Sequence, residues 1–132
     1  MFVTTNVLDR RPIFADPACA REAIECLYRV QSMHPFLLYA FVIMPDHCHI
    51  LMQVLPPNTV SKIMTAFKSG LTFDIGVPKL WQPRFYVRIV EKNIEKVISY
   101  VHQNPVKAGL CDMPQEYLWS SAYGKWDVSE IG

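Results

Sequence analysis

Two histidines one residue apart, His47 and His49, open an apolar run in the segment Met44-Pro45-Asp46-His47-Cys48-His49-Ile50-Leu51. On an extended chain, residues two apart project to the same side. A strand here therefore sets two imidazoles side by side and turns Cys48 away. Such a pair is half of a divalent-metal site; it is equally compatible with two half-buried polar histidines beside a turn. A second segment reads Ser99-Tyr100-Val101-His102-Gln103-Asn104-Pro105-Val106-Lys107. Tyr100 and Asn104 are four apart, so on a helix both lie along one side. A phenol is a nucleophile when a metal or base eases loss of its proton, and an amide oxygen is a metal ligand. The same two residues also suit a core edge and a helix end. A third segment, Trp81-Gln82-Pro83-Arg84-Phe85-Tyr86-Val87-Arg88, interleaves aromatics with arginine. That pattern can stack on bases and hold phosphates, or simply pack a strand into a core.

The elements that must position these groups are legible from periodicity and breakers. Phe2 to Val7 reads as a first strand. Asp16-Pro17 is a helix start, with Asp able to accept from free N–H groups and Pro suited to the first helical position. The helix runs to about Ser32, with Ala20, Ala23, Ile24 and Leu27 at helical spacing. Phe36 to Met44 reads as a strand buried on both faces. Pro45-Asp46 signals a turn, and His47 to Leu55 returns as the second arm of a hairpin. A second helix starts at Asn58 or Thr59, carries Val60, Ile63, Met64 and Phe67 on one face, and fades between Gly70 and Gly76. Phe85 to Val90 reads as a fourth strand. Glu91 to about His102 is a third helix with an apolar stripe of Ile94, Val97, Ile98 and Val101. Asn104-Pro105 should end it, because a residue before proline avoids helical geometry. The order β-α-β-β-α-β-α predicts an α+β, ferredoxin-like (RRM-like) split βαβ antiparallel sheet with helices on one face and an additional C-terminal helix.

At 132 residues the chain suits one domain. The longest unbroken apolar stretch, Phe36–Met44, is too short to span a bilayer, and the N-terminus lacks a basic leader. A cytoplasmic protein with no membrane partner is expected. The four cysteines form no CxxC pair, which argues against a zinc ribbon and for reduced, structural thiols. Net charge is only +1, but it is unevenly spread. Between Val60 and Leu110 eight basic residues face three acidic ones, while the flanks are neutral to acidic. A basic middle fits either a phosphate-facing surface or solvated helix faces.

Taken together, these segments resemble the IS200-like single-tyrosine (Y1) transposases of the HUH endonuclease superfamily, especially the REP-associated branch. The segment from Met44 to Leu51 is similar to that family's HUH motif. Tyr100 to Leu110 is similar to its tyrosine helix and the turn that follows. Arg10-Arg11-Pro12-Ile13-Phe14, Trp81 to Tyr86, and Trp119-Ser120-Ser121-Ala122-Tyr123 match in the same order, so the likeness runs from about Phe2 to Tyr123. The resemblance implies metal-dependent cleavage and rejoining of single-stranded or hairpin DNA. His47, His49 and Asn104 would hold a divalent ion, Mg²⁺ or Mn²⁺. Tyr100 would be the nucleophile, forming a 5′-phosphotyrosine. DNA contacts are expected from Arg10, Arg11, Lys62, Lys68, Trp81, Gln82, Arg84, Tyr86, Arg88 and Lys107. Both a homodimer and a monomer are compatible with the likeness, and a relative that binds a hairpin without cutting would have much the same sequence. Other HxH chemistries fit less well. A histidine-triad hydrolase would want a third alternating histidine where Leu51 stands, and a two-motif phosphoesterase would want a second HxT or HxS, which the sequence lacks.

Overall fold

The computed structural model describes residues 1–131. Four strands, β1 (Phe2–Val7), β2 (Phe36–Met44), β3 (His47–Val54) and β4 (Trp81–Arg88), form one antiparallel sheet in the order β2-β3-β1-β4. Helices α1 (Pro17–Met33) and α2 (Val60–Ile75) pack together on one face. Helix α3 (Ile94–Lys107) lies against β2 and β3 on the other. This is the expected split βαβ sheet, with α1 and α2 sharing a face and the additional helix covering the reverse side.

Two cores account for the unbroken apolar run in β2 and the apolar stretch of β3. Under α1 and α2 lie Val3, Phe41, Ile43, Cys48, Ile50 and Met52 with Ile24, Leu27, Ile63 and Phe67. Under α3 lie Phe2, Ala40, Val42, Met44 and Leu51 with Val97 and Val101. Side chains alternate between the two faces along β3, and in β2 the register shift between Leu38 and Ala40 exchanges which residues meet which core. The odd-numbered residues of β3, His47 and His49 among them, therefore face α3.

Helix starts follow their caps. Asp16 accepts from the Ala18 N–H at 2.9 Å, with Pro17 first in the helix. At the second helix the cap is Thr59, whose hydroxyl accepts from the Lys62 N–H at 3.2 Å. Helix α2 runs to Ile75 and stops at Gly76 in the left-handed conformation (φ +75°), within the span expected from the sequence, whereas β4 and α3 differ from it. Gly70 is a packing device: a Cβ there would sit 3.3 Å from Cys26 Sγ on α1. Strand β4 begins at Trp81 rather than Phe85 and ends at Arg88. It is an edge strand with a register shift opposite Thr5–Val7, which is where a sheet tolerates Pro83. Helix α3 starts later and ends later than expected. Asn93 is left-handed (φ 58°), so the helix cannot begin at Glu91. Pro105 lies inside the helix and does not terminate it. Proline removes one i→i−4 bond there, yet the chain stays helical through Lys107, and Ala108 N–H still reaches the Asn104 carbonyl at 3.0 Å.

The C-terminal segment covers the outer edge of β2. Ile43 N–H donates to the Trp119 carbonyl (2.8 Å), and Ser129 N–H to that of Leu38 (2.6 Å). Ser121 Oγ bridges the Phe41 N–H and carbonyl. An otherwise bare edge is thereby occupied.

Candidate active site

His47 follows the two-residue β2–β3 turn, and the pleat brings His49 beside it, with ring centroids 4.8 Å apart. Each Nδ1 has a partner. His47 Nδ1–H donates to Asp46 Oδ1 at 2.6 Å. Arg10 Nε–H donates to the other oxygen, Oδ2, at 2.9 Å. Partial burial pushes the Asp46 carboxyl up, but the bonds from Arg10 and His47 outweigh it and hold the group below its ordinary value. Arg10 reaches this position from a short turn in which Asp9 and Arg10 are both left-handed (φ 58° and 53°), a conformation costly for non-glycine residues.

His49 Nδ1 lies 2.9 Å from the hydroxyl of Thr4, its register partner on β1. Only 7% of His49 is exposed. Burial above all, then the charges of His47 and Arg10, pulls its pKa down to about 4, while the Asn104 side chain against the ring opposes that shift. At neutral pH His49 is thus an uncharged imidazole, the form that binds metals.

Helix α3 brings Tyr100 to the same place. Its ring centroid is 6.0 Å from that of His49 and 5.9 Å from that of Phe2, both in edge-on arrangements. Phe2 in turn stacks at 5.3 Å on His49. Tyr100 remains 44% exposed, so its ring is fixed on one side and open on the other. Lys107 Nζ lies 5.3 Å from the Tyr100 ring centroid. Asn104, one turn after Tyr100, donates its amide to the Tyr100 carbonyl at 3.1 Å, and its side chain also meets the His49 ring. His47, His49, Tyr100 and Asn104 all come together within one chain. Among the described residues no three His, Cys, Asp or Glu side chains meet around one point.

The residues expected to touch DNA divide. Arg10 and Lys107 reach the site. Arg88 stacks at 5.4 Å on Phe2, and Tyr86 pairs with Thr4, so β4 presents both on the histidine side; Arg84 is exposed in the stretch where the register shifts. The remaining residues are placed elsewhere. Trp81 is no open stacking platform: it is 8% exposed, packs on Phe14 and Phe67, and donates its indole N–H to the Lys68 carbonyl. Lys68 donates to the carbonyls of Gln82 and Pro83, and Gln82 lines the same groove between α2 and β4. Arg11 donates to the carbonyls of Leu8, Lys79 and Leu80, tying the first loop to the start of β4. Lys62 is exposed on α2, across the sheet from Tyr100. Sequence reasoning missed Thr4, Asp46 and Phe2. Asp46 was visible beside the motif but read only as a turn former; Thr4 and Phe2 required the β1–β3 register.

A ferredoxin-like sheet thus carries paired histidines on β3 with the tyrosine of α3 across them. The family profile described as "Transposase IS200 like" matches residues 2–104, and the chain belongs to that family. It is similar to a REP-associated tyrosine transposase of Escherichia coli K12, 28% identical over 126 residues that cover 91% of this chain and 74% of that protein. A solved REP-associated tyrosine transposase bound to a REP hairpin superposes with a TM-score of 0.79 at 25% identity, covering 99% of this chain and 84% of the other. A crystal structure from Deinococcus radiodurans R1 shares the fold, with a TM-score of 0.60 at 19% identity over 78% of this chain and 87% of that one.

Proposed function

We propose that this protein cuts and rejoins single-stranded DNA at a hairpin, with Tyr100 as nucleophile and a divalent ion, Mg²⁺ or Mn²⁺, on His47, His49 and Asn104. The observation that carries the reading is the cluster of His47, His49 and Tyr100 rings on one open face of one chain. The hairpin follows from the similar transposase solved on a REP hairpin.

The donor set fits such an ion. When each histidine donates Nδ1–H, to Asp46 and to Thr4, both lone pairs fall on Nε2. Metal-binding histidines are commonly oriented in this way. Two imidazoles and an amide oxygen leave open positions for phosphate oxygens and suit a borderline to hard cation. When bound, the ion would neutralise a phosphoryl oxygen and hold the scissile bond in place. The protein supplies the rest. Phe2 and His49 fix the Tyr100 ring on one side, which limits the directions from which its oxygen can approach a phosphate. The new P–O bond to Tyr100 forms as the P–O3′ bond breaks; the phenolic proton goes to solvent and the 3′ oxygen takes one up. A phenol with a pKa near ~10 is a better leaving group than an alkoxide, so a 3′ hydroxyl can reverse the step and rejoin the strand.

Incubation with Mn²⁺ and hairpin-bearing single-stranded oligonucleotides should give a protein–DNA adduct that survives denaturing electrophoresis and maps to the Tyr100 peptide. Tyr100→Phe should abolish it. Hairpin binding without any adduct in the wild type would overturn the cutting activity and leave a binding protein.

A further inference from the structure

The inference here rests on Tyr100 being the nucleophile. Beside Tyr100 lies a cleft of about 310 Å³ lined by Arg88, Lys92, Asn93, Lys96 and Val97 as well as Tyr100 itself. Three of its walls are cationic and none is acidic. Among the described residues Arg88, Lys92 and Lys96 make no ion pair. Lys96, Tyr100 and Asn104 follow at four-residue intervals on α3, so the cleft is continuous with the site along one line of the helix. Arg88 is anchored on Phe2, the ring that also supports His49 and Tyr100. A separate cleft, lined by Arg10, Pro12, Asp46, His47 and Leu110, opens on the His47 side.

The chemistry gives the two sides different roles. Attack by Tyr100 leaves the phosphate on the phenol, so the fragment bound to the protein is the one that begins at that phosphate. It is the piece 3′ of the cut, and it must leave the site from Tyr100. We propose that the Arg88–Lys92–Lys96 cleft binds the backbone phosphates 3′ of the scissile one and holds the covalently captured strand for rejoining. Lys92 and Lys96 thus join the DNA-binding residues, and the strand acquires a direction across the sheet.

The test uses a hairpin oligonucleotide that forms the Tyr100 adduct, with binding measured on Tyr100→Phe so that cutting does not intervene. Lys92 and Lys96 are exposed, and the thermal midpoint of K92Q/K96Q should match that of the parent. Its affinity for the oligonucleotide should fall, and the slope of log K against log salt should flatten by about 1.4, roughly 0.7 for each single-strand phosphate contact. Replacing the first two linkages 3′ of the cut with neutral methylphosphonates should weaken the parent clearly more than K92Q/K96Q, which keeps only Arg88 in the cleft. Neutral linkages 5′ of the cut should weaken both alike. An adduct-forming protein in which 3′ linkages weaken parent and variant equally, or in which the coupling appears on the 5′ side, overturns the assignment alone. A wild type that forms no adduct removes the nucleophile and this inference with it.

Discussion

The proton on each histidine is set by a neighbour, and this is where single residues matter most. Asp46 accepts from the His47 Nδ1–H and is itself held by Arg10. Asp46→Asn should lower Mn²⁺ affinity by about 10–100-fold, the usual cost of losing such a partner. Titration calorimetry measures it, and an unchanged Kd would show that Asp46 serves only the turn. His49 gives a pH dependence with a definite sign. Its folded pKa is about 4, against about 6.5 for a free imidazole. Between these values the unfolded chain binds a proton that the folded chain refuses, so stability rises with pH through the window. The metal-free protein should melt at progressively lower temperature from pH 6.5 down to 4. His49→Gln should remove this group's share of the slope, and His102, also held below its ordinary value by burial, should account for some of the remainder. A variant with the full wild-type slope would place the effect elsewhere.

At the scale of elements, the site depends on two close approaches. The first is α1 against α2, where Gly70 faces Cys26 Sγ. Gly70→Val would force a branched side chain into that contact and should cost about 1–3 kcal/mol in urea unfolding, with partial recovery when Cys26→Ala is added. Equal stability with and without that second change would refute the contact as the cause. The second is α3 across β2 and β3, which sets Tyr100 over His49. Its length was misread because Asn104-Pro105 looks like a stop. Proline removes a single i→i−4 bond, and this close to the end of α3 the loss does not stop the helix short of Lys107. The Tyr100–Asn104 spacing was therefore read correctly even though the boundary was not. The start of β4 was misread for the related reason that Pro83 is tolerated on an edge.

At the scale of the whole molecule, the histidines and the tyrosine belong to one chain, which makes a clear expectation. Mixing His47→Ala with Tyr100→Phe should not restore adduct formation, because neither molecule holds a full set. Restoration would mean that tyrosines are exchanged between copies. Charge is also organised at this scale. Arg88, Lys92, Lys96 and Lys107 gather on the α3 face, whereas Lys62 and Lys68 belong to α2 on the other, so a single basic stretch of sequence serves two surfaces.

The sequence by itself determined the alternation that pairs His47 with His49, the helical spacing of Tyr100 and Asn104, and the order of strands and helices. These are local properties with periods of two and of 3.6 residues, readable without knowing any neighbour. Only the tertiary structure decided which face α3 covers, and hence that the two motifs meet. It also decided that Thr4, Phe2 and Asp46 brace them, and that Trp81, Arg11 and Lys68 are committed to internal contacts rather than free to meet DNA. Those outcomes depend on strand register and on side chains far apart in the chain. The histidine pair could be read from eight residues, whereas its surroundings required all four strands.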